Sequence, residues 1–329
     1  MTKTVQEPEL SHSGDRVADA VEGSWVDTAA AAWMRPYLRL SRMDRPIGTW
    51  LLLLPCWWGL LLALAAEPGS IRVGDIWIFF GCALGAAAMR GAGCTWNDAV
   101  DRDLDRQVER TKSRPLPSGQ VTVLRALIWL ALQGAVGLAV LMTFNRAAIY
   151  LGFASLLPVI AYPFAKRFTW WPQVMLGIAF NWGAMLAWAA HAGNLGAAPL
   201  LLYCGGIAWT LFYDTIYAHQ DKEDDALVGI KSTALLFGEN TKAWLSLFAA
   251  AATILIALAV WSAIPIGERP VALLLGFLGT ASFSAHLIWQ IRKLDMADGE
   301  CCLRLFRSNR NAGLLLSATF FIAACAGVS

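Results

Sequence analysis

Two acidic stretches carry residue types that could do chemistry. In NDAVDRDLD, Asn97, Asp101 and Asp105 fall at i, i+4 and i+8. On a helix these share one face, and Asp98 joins them from the neighbouring row. In YDTIYAHQDKEDD, Asp214, Tyr217, Asp221 and Asp225 follow i, i+3, i+7 and i+11, again one helical face. Carboxylates crowded this way repel one another even in water, and more strongly beside a membrane. Something cationic must occupy each face.

Magnesium fits that requirement. Mg2+ dehydrates reluctantly and is commonly held by one or two carboxylates plus the phosphates of a substrate. The carboxylates therefore imply a polyphosphate guest, and nearby basic residues supply its other counter-charges. Lys112 and Arg114 follow the first cluster, Lys231 follows the second, and Lys166 and Arg167 lie between them. Arginine can grip a phosphate through two parallel hydrogen bonds, whereas lysine acts as a point charge. Arg90 stands seven residues before Asn97, two turns deeper on the same face. An arginine at that depth is costly and marks a functional cavity, suited to a second anionic substrate such as a carboxylate.

The elements that must position these groups are membrane helices. The chain has 329 residues, is 57% hydrophobic and has a mean hydropathy of +0.51. A bilayer core of about 30 Å needs about 20 apolar residues of helix per crossing. That rule gives nine spans, at 47–66, 75–96, 122–143, 147–165, 173–191, 198–217, 242–264, 270–290 and 311–328. These runs are too long and uniformly apolar for barrel strands. The expected fold is an all-α membrane bundle of about nine helices. Both acidic clusters then end even-numbered spans, on one side of the membrane, like duplicated halves of one site.

Charge orients the bundle. With a cytoplasmic N-terminus, nearly every Lys and Arg falls on the cytoplasmic side, and only Arg72, Arg146 and Arg269 fall opposite. That is the positive-inside asymmetry, and it makes the acidic end cytoplasmic. A net charge of only +2 implies no nucleic-acid partner. Residues 1–32 read as a disordered polar tail without signal-peptide character, and 33–329 as the membrane domain. AAWMRPYLRLSRMDRP, at its start, suits a short helix lying on the membrane surface. The seven cysteines lack metal-ligand spacing and read as small buried hydrophobes. The tryptophans near span ends read as interfacial belt residues.

At these residues the chain resembles the UbiA superfamily of intramembrane aromatic prenyltransferases, and within it the 4-hydroxybenzoate polyprenyltransferases of ubiquinone biosynthesis. The motif N-D-x-x-D-x-x-x-D is matched by Asn97, Asp98, Asp101 and Asp105, and R-P-L-P-S-G follows at Arg114 to Gly119. The motif D-x-x-Y-A-x-x-D-x-x-x-D is matched by Asp214, Tyr217, Ala218, Asp221 and Asp225, followed by G-I-K-S-T-A at Gly229 to Ala234. RMDRPIGTWLLLLP at 42–55, YPFAKRFTWWPQ at 162–173 and LFRSNRNAG at 305–313 resemble the hydroxybenzoate branch.

The resemblance covers about residues 33–328. It implies helices around a central cavity open to lipid, with the two motifs facing each other over Mg2+. It implies transfer of a polyprenyl group from its diphosphate to the ring carbon ortho to the hydroxyl of 4-hydroxybenzoate. Asn97, Asp101, Asp105, Asp221 and Asp225 would hold Mg2+ and diphosphate, with Lys166 and Arg167 assisting, and Arg90 would anchor the acceptor's carboxylate. A bacterial inner membrane is the expected location. Homogentisate, a naphthoate, a chlorophyllide or haem are alternative acceptors, because the metal site is common to the superfamily. A divalent-cation transporter is the alternative of another class, although its ionisable groups would be expected near the bilayer midplane.

Overall fold

The computed structural model describes residues 23–326 except 68, 70, 109–110, 223–225, 228 and 230, and for Asp221 the backbone alone. Among the described residues there is helix and no strand. The long helices are α1 (Ile47–Ala66), α2 (Val73–Asp105), α3 (Val123–Leu141), α4 (Arg146–Ala154), α5 (Leu156–Phe168), α6 (Pro172–Ala192), α7 (Ala197–Ala218), α8 (Thr241–Ala263), α9 (Pro270–Lys293) and α10 (Gly299–Cys325). Helix is what apolar sequence must form in lipid, where unpaired backbone groups find no water.

Seven helical segments are long and apolar enough to cross a membrane, counting α4 with α5 as one. The other two expected spans, 198–217 and 311–328, coincide with α7 and the second half of α10. Both helices are long enough, but α7 carries Asp214 and several hydroxyl side chains, and α10 carries Arg304, Arg307, Asn309 and Arg310; neither is among the seven. The α4–α5 break has a local cause. Pro158 has no N–H to donate to the Ala154 carbonyl, and the Ser155 hydroxyl bonds back to Gly152 O at 2.6 Å. Helix α2 is longer than its expected span. Its 33 residues reach about 50 Å, well beyond a bilayer core of about 30 Å.

Burial separates a central layer from a lipid-facing one. Of the apolar window of α1, 61% is buried, against 22% for α3 and 17% for α4–α5. Helix α1 packs on α6 so closely that a Cβ on Gly59 would meet the Ala184 carbonyl at 2.1 Å. Small residues allow such approach where lipid gives no hydrophobic drive between helices. The aromatic centre is Trp58 of α1, Trp209 of α7 and Phe283 of α9, with Trp58 and Trp209 centroids 4.8 Å apart. Each indole has a partner, as burial requires: Trp58 Nε1 donates to Gly313 O at 3.0 Å, and Trp209 Nε1 to Asn309 Oδ1 at 2.9 Å.

The segment before α1 forms the expected short helix, Arg35–Leu40, and it packs on the rest of the protein, with Leu38, Arg39 and Leu40 buried. Leu40 packs with Leu116, Val121 and Ala126. Trp129 of α3 donates to the Ser41 hydroxyl at 2.8 Å, and that hydroxyl donates to Gln133 at 2.9 Å. The end of the expected tail is also ordered. Trp25–Thr28 is helical, Val26 is buried, and Asp27 accepts from Arg39 at 2.8 Å. Residues 1–22 of that tail lie outside the described residues.

Candidate active site

The last turns of α2 bury Asp98, Asp101 and Asp105, which are 0%, 0% and 6% exposed. Buried carboxylates need counter-charge, and four cations from three other segments provide it. Arg42 Nη2 reaches Asp98 Oδ1 at 2.6 Å. Arg114, from the loop after α2, lies 2.9 Å from Asp105 and 3.6 Å from Asp98. That loop is pinned by the Thr111 hydroxyl, which donates to Asp105 O at 2.8 Å. From the end of α5, Lys166 Nζ lies 2.6 Å from Asp101 Oδ2 and Arg167 Nη2 lies 3.3 Å from Asp101 Oδ1. Arg167 also donates to the Val100 carbonyl at 3.0 Å and stacks over Phe164.

The second cluster begins on α7, which places Asp214 and Tyr217 on a cavity wall. The helix ends at Ala218 and tightens into a 3-10 turn over His219–Asp221. The Asp221 side chain and all of Asp225 lie outside the described residues, so only part of this expected face is on view. The loop that follows returns to the first cluster. Lys231 N donates to the Lys166 carbonyl at 3.4 Å, and its ammonium sits over Trp170. Lys112 is exposed beside the first cluster.

Two cavities open from this region. One, of about 480 Å3, is lined by Arg45, Arg90, Tyr162, Asp214, Tyr217 and Arg307 among others. The second, of about 560 Å3, runs between α2, α3, α4 and α6 along mainly apolar and glycine positions, with Asn97, Arg42 and Arg114 at its polar end. They share Arg90, Tyr162, Phe180 and Tyr217 as a common wall. There the Arg90 guanidinium stacks over Phe180 at 5.3 Å from the ring centroid, and its buried Nε has no hydrogen-bond partner. An orphaned donor between a polar cavity and an oily one is a place for an anion.

The donor set suits a hard cation. No three Asp, Glu, His or Cys side chains among the described residues form a complete cage. Mg2+ needs no such cage where phosphates complete its shell. Buried carboxylate oxygens at Asp98, Asp101 and Asp105, with Oδ2 of Asp98 lacking a hydrogen bond, meet that smaller requirement.

The model of the UbiA prenyltransferase family matches residues 52–324. The chain belongs to this family. Curated relatives include mitochondrial 4-hydroxybenzoate polyprenyltransferases from Arabidopsis thaliana (47% identical, covering 90% of this chain and 70% of the relative) and from Rattus norvegicus (49%, 88% and 75%). The human counterpart is 47% identical over 88% of this chain and 76% of its own. These names are mitochondrial, so they lend no support to a bacterial inner membrane; the seven apolar helices fit an integral membrane protein. Among solved structures, a UbiA homolog from Aeropyrum pernix K1 superimposes with a TM-score of 0.66 at 23% identity, covering 82% of this chain and 97% of that one. A UbiA homolog from Archaeoglobus fulgidus bound to GPP and Mg2+ gives 0.64 at 24% identity, covering 89% and 99%. At such identity these two define the UbiA fold.

Within this UbiA fold several lining residues had no individual signal in the sequence. Arg42 and Arg45 read as positive-inside charges, yet Arg42 is 7% exposed and turns onto Asp98 from a left-handed backbone, φ 57°. Tyr162 sits at the end of an apolar run. The available pointers were the branch-like stretches themselves: RMDRPIGTWLLLLP holds Arg42 and Arg45, YPFAKRFTWWPQ opens on Tyr162, and LFRSNRNAG holds Arg307 and Arg310.

Proposed function

We propose that this UbiA-family chain transfers a polyprenyl group from polyprenyl diphosphate to the ring carbon ortho to the hydroxyl of 4-hydroxybenzoate, a membrane step of ubiquinone formation. The observation that carries it is the shared wall at Arg90. A cavity lined by four arginines and an apolar cavity suited to a prenyl tail meet at Arg90, whose buried Nε has no hydrogen-bond partner. The close curated relatives bear the name of this activity, and a fold neighbour is described with GPP and Mg2+.

In this assignment the prenyl tail lies along the glycine-rich cavity and its diphosphate sits at the Asn97 end. Asn97, Asp101 and Asp105, with Asp221 and Asp225, would hold Mg2+, which when bound supplies Lewis-acid neutralisation of the leaving diphosphate. Arg114, Lys166 and Arg167, now on carboxylates, offer N–H donors to phosphate oxygens as charge develops there. Lys112, Lys231, Asp214 and Tyr217 border the same region. Arg90 holds the acceptor's carboxylate, which turns the ring toward the shared wall. The enclosing apolar side chains keep water from the allylic carbon until the ring attacks. The proton released by the ring passes to an aspartate of the first cluster. Two further crossings by α7 and α10 bring the bundle to nine, with the acidic end on the cytoplasmic side, as the basic-residue asymmetry supports. Cation transport is disfavoured because the carboxylates sit at helix ends among cations, in a transferase family.

Membranes containing the protein, given 4-hydroxybenzoate, a polyprenyl diphosphate and Mg2+, should yield the ring-prenylated acid. No product under conditions where a control enzyme of the same activity turns over would refute the assignment.

A further inference from the structure

The cavity assigned to the aromatic acid holds more positive charge than one carboxylate requires. Arg45, Arg90, Arg307 and Arg310 line it, against Asp214 as the one described acid on its wall. Arg45 is paired with Asp44 at 3.1 Å. Arg307 and Arg310 have no carboxylate partner among the described residues, and Arg310 bonds only to the neighbouring Asn311 amide at 3.3 Å. Arg304, one turn earlier on α10, points the other way, toward Asp298 and Glu300 at 3.8 and 3.9 Å.

The two arginines face the cavity because α10 is rotationally fixed. Leu303, Phe306, Arg307 and Arg310, spaced i, i+3, i+4 and i+7, all line it. On another side of the helix Asn309, fully buried, accepts from Trp209 and exchanges hydrogen bonds with Gln290 at 3.0 and 3.2 Å. Arg307 is half-buried and Arg310, one turn further along α10, is exposed, and both line the same cavity as Arg90. Neither lines the apolar cavity, whose polar end has Arg42, Arg114 and Asn97. Cavity-lining cations thus fall into two sets that share Arg90.

We propose that Arg307 and Arg310 form a cationic vestibule that draws the anionic aromatic acid into the polar cavity and delivers it to Arg90, separately from the cations that receive the diphosphate. This rests on hydroxybenzoate being the acceptor. Charges in a low-dielectric cleft focus the field and raise the local concentration of an anion, and salt screens that attraction.

The test uses the full-length protein in detergent, with Arg307→Gln, Arg310→Gln, the double variant and the corresponding double Lys variant. At low salt the double Gln variant should lose about tenfold in kcat/KM for 4-hydroxybenzoate. Its kcat and its KM for the prenyl diphosphate should stay at wild-type values, and the salt dependence for the acid should flatten. The double Lys variant should keep both rate and salt dependence, which a structural role would not predict. Arg310→Gln, at an exposed position, supplies a folded variant if Arg307→Gln lowers abundance. A raised KM for the diphosphate, or unchanged kinetics for both substrates, would overturn the vestibule while wild type stays active. Wild type without turnover of 4-hydroxybenzoate would overturn the acceptor, and the vestibule with it.

Discussion

Gly48 of α1 and Arg90 of α2 are in contact across the helix interface: a Cβ added to Gly48 would lie 2.5 Å from both Nε and Nη2 of the guanidinium. The missing side chain at Gly48 is the space that Arg90 occupies. Gly48→Ala should therefore move Arg90 off its position over Phe180 without unpairing any backbone group. The KM for 4-hydroxybenzoate should rise about tenfold, the cost of weakening a charge-assisted contact, with little change in thermal stability. Unchanged KM would separate Arg90 from the acceptor.

Arg90 itself should show a clean division between substrates. Arg90→Ala should raise the KM for the acid strongly and leave that for the prenyl diphosphate nearly unchanged. Arg90→Lys should rescue only in part, because an ammonium cannot reproduce the bidentate fork. Steady-state kinetics at normal membrane abundance check this. A defect confined to the diphosphate would reassign Arg90 to the leaving-group cations.

The acidic end should depend on a divalent metal. Excess chelator should abolish turnover and Mg2+ should restore it. Asp101→Ala should remove activity while leaving the protein in the membrane, since its partners Lys166 and Arg167 are partly solvated, at 24% and 44% side-chain exposure. Arg167→Ala should cost about ten- to hundredfold in use of the diphosphate and much less in use of the acid. Full turnover in chelator, or an active Asp101→Ala variant, would contradict the proposed site.

Much of this was legible in the sequence, and the remainder has identifiable physical reasons for being hidden. Apolar length alone marked α1, α6, α8 and α9, because lipid forces such runs into helix. The shared face of Asn97, Asp101 and Asp105 followed from helical spacing, and α2 continues unbroken to Asp105. What stayed hidden was long-range pairing. Asp98 meets Arg42 across 56 positions and Asp101 meets Arg167 across 66, separations that carry no periodic signal. How the short helix around Arg39 packs was also hidden, because alternating Arg and Leu looks the same on a membrane as against α2 and α3. Arg307 and Arg310 resembled ordinary inside charges until Asn309 fixed the rotation of α10.

Acid should weaken the fold at His219. Its ring is buried, with Nε2 3.1 Å from the Thr241 hydroxyl and Nδ1 without a partner. Burial, reinforced by Lys222, pushes its pKa down to about 4, below the ordinary value near 6.5. A depressed folded-state pKa means stability that is complete above about pH 6.5 and lost as pH falls toward 4. The loss is on the order of 1–3 kcal/mol. Thermal unfolding of His219→Gln between pH 4 and 7 should be flatter than that of wild type, and parallel curves would remove His219 as the cause.

The identity of the acceptor is tested most directly by competition. Purified protein, a polyprenyl diphosphate and Mg2+ should be mixed with equimolar 4-hydroxybenzoate, its methyl ester, homogentisate and a hydroxynaphthoate, and the products resolved by mass. If Arg90 recognises a benzoate carboxylate beside the prenyl cavity, ring-prenylated 4-hydroxybenzoate should dominate and the ester should remain unreacted. Prenylated homogentisate or naphthoate as the main product, or an ester used as well as the acid, would contradict it.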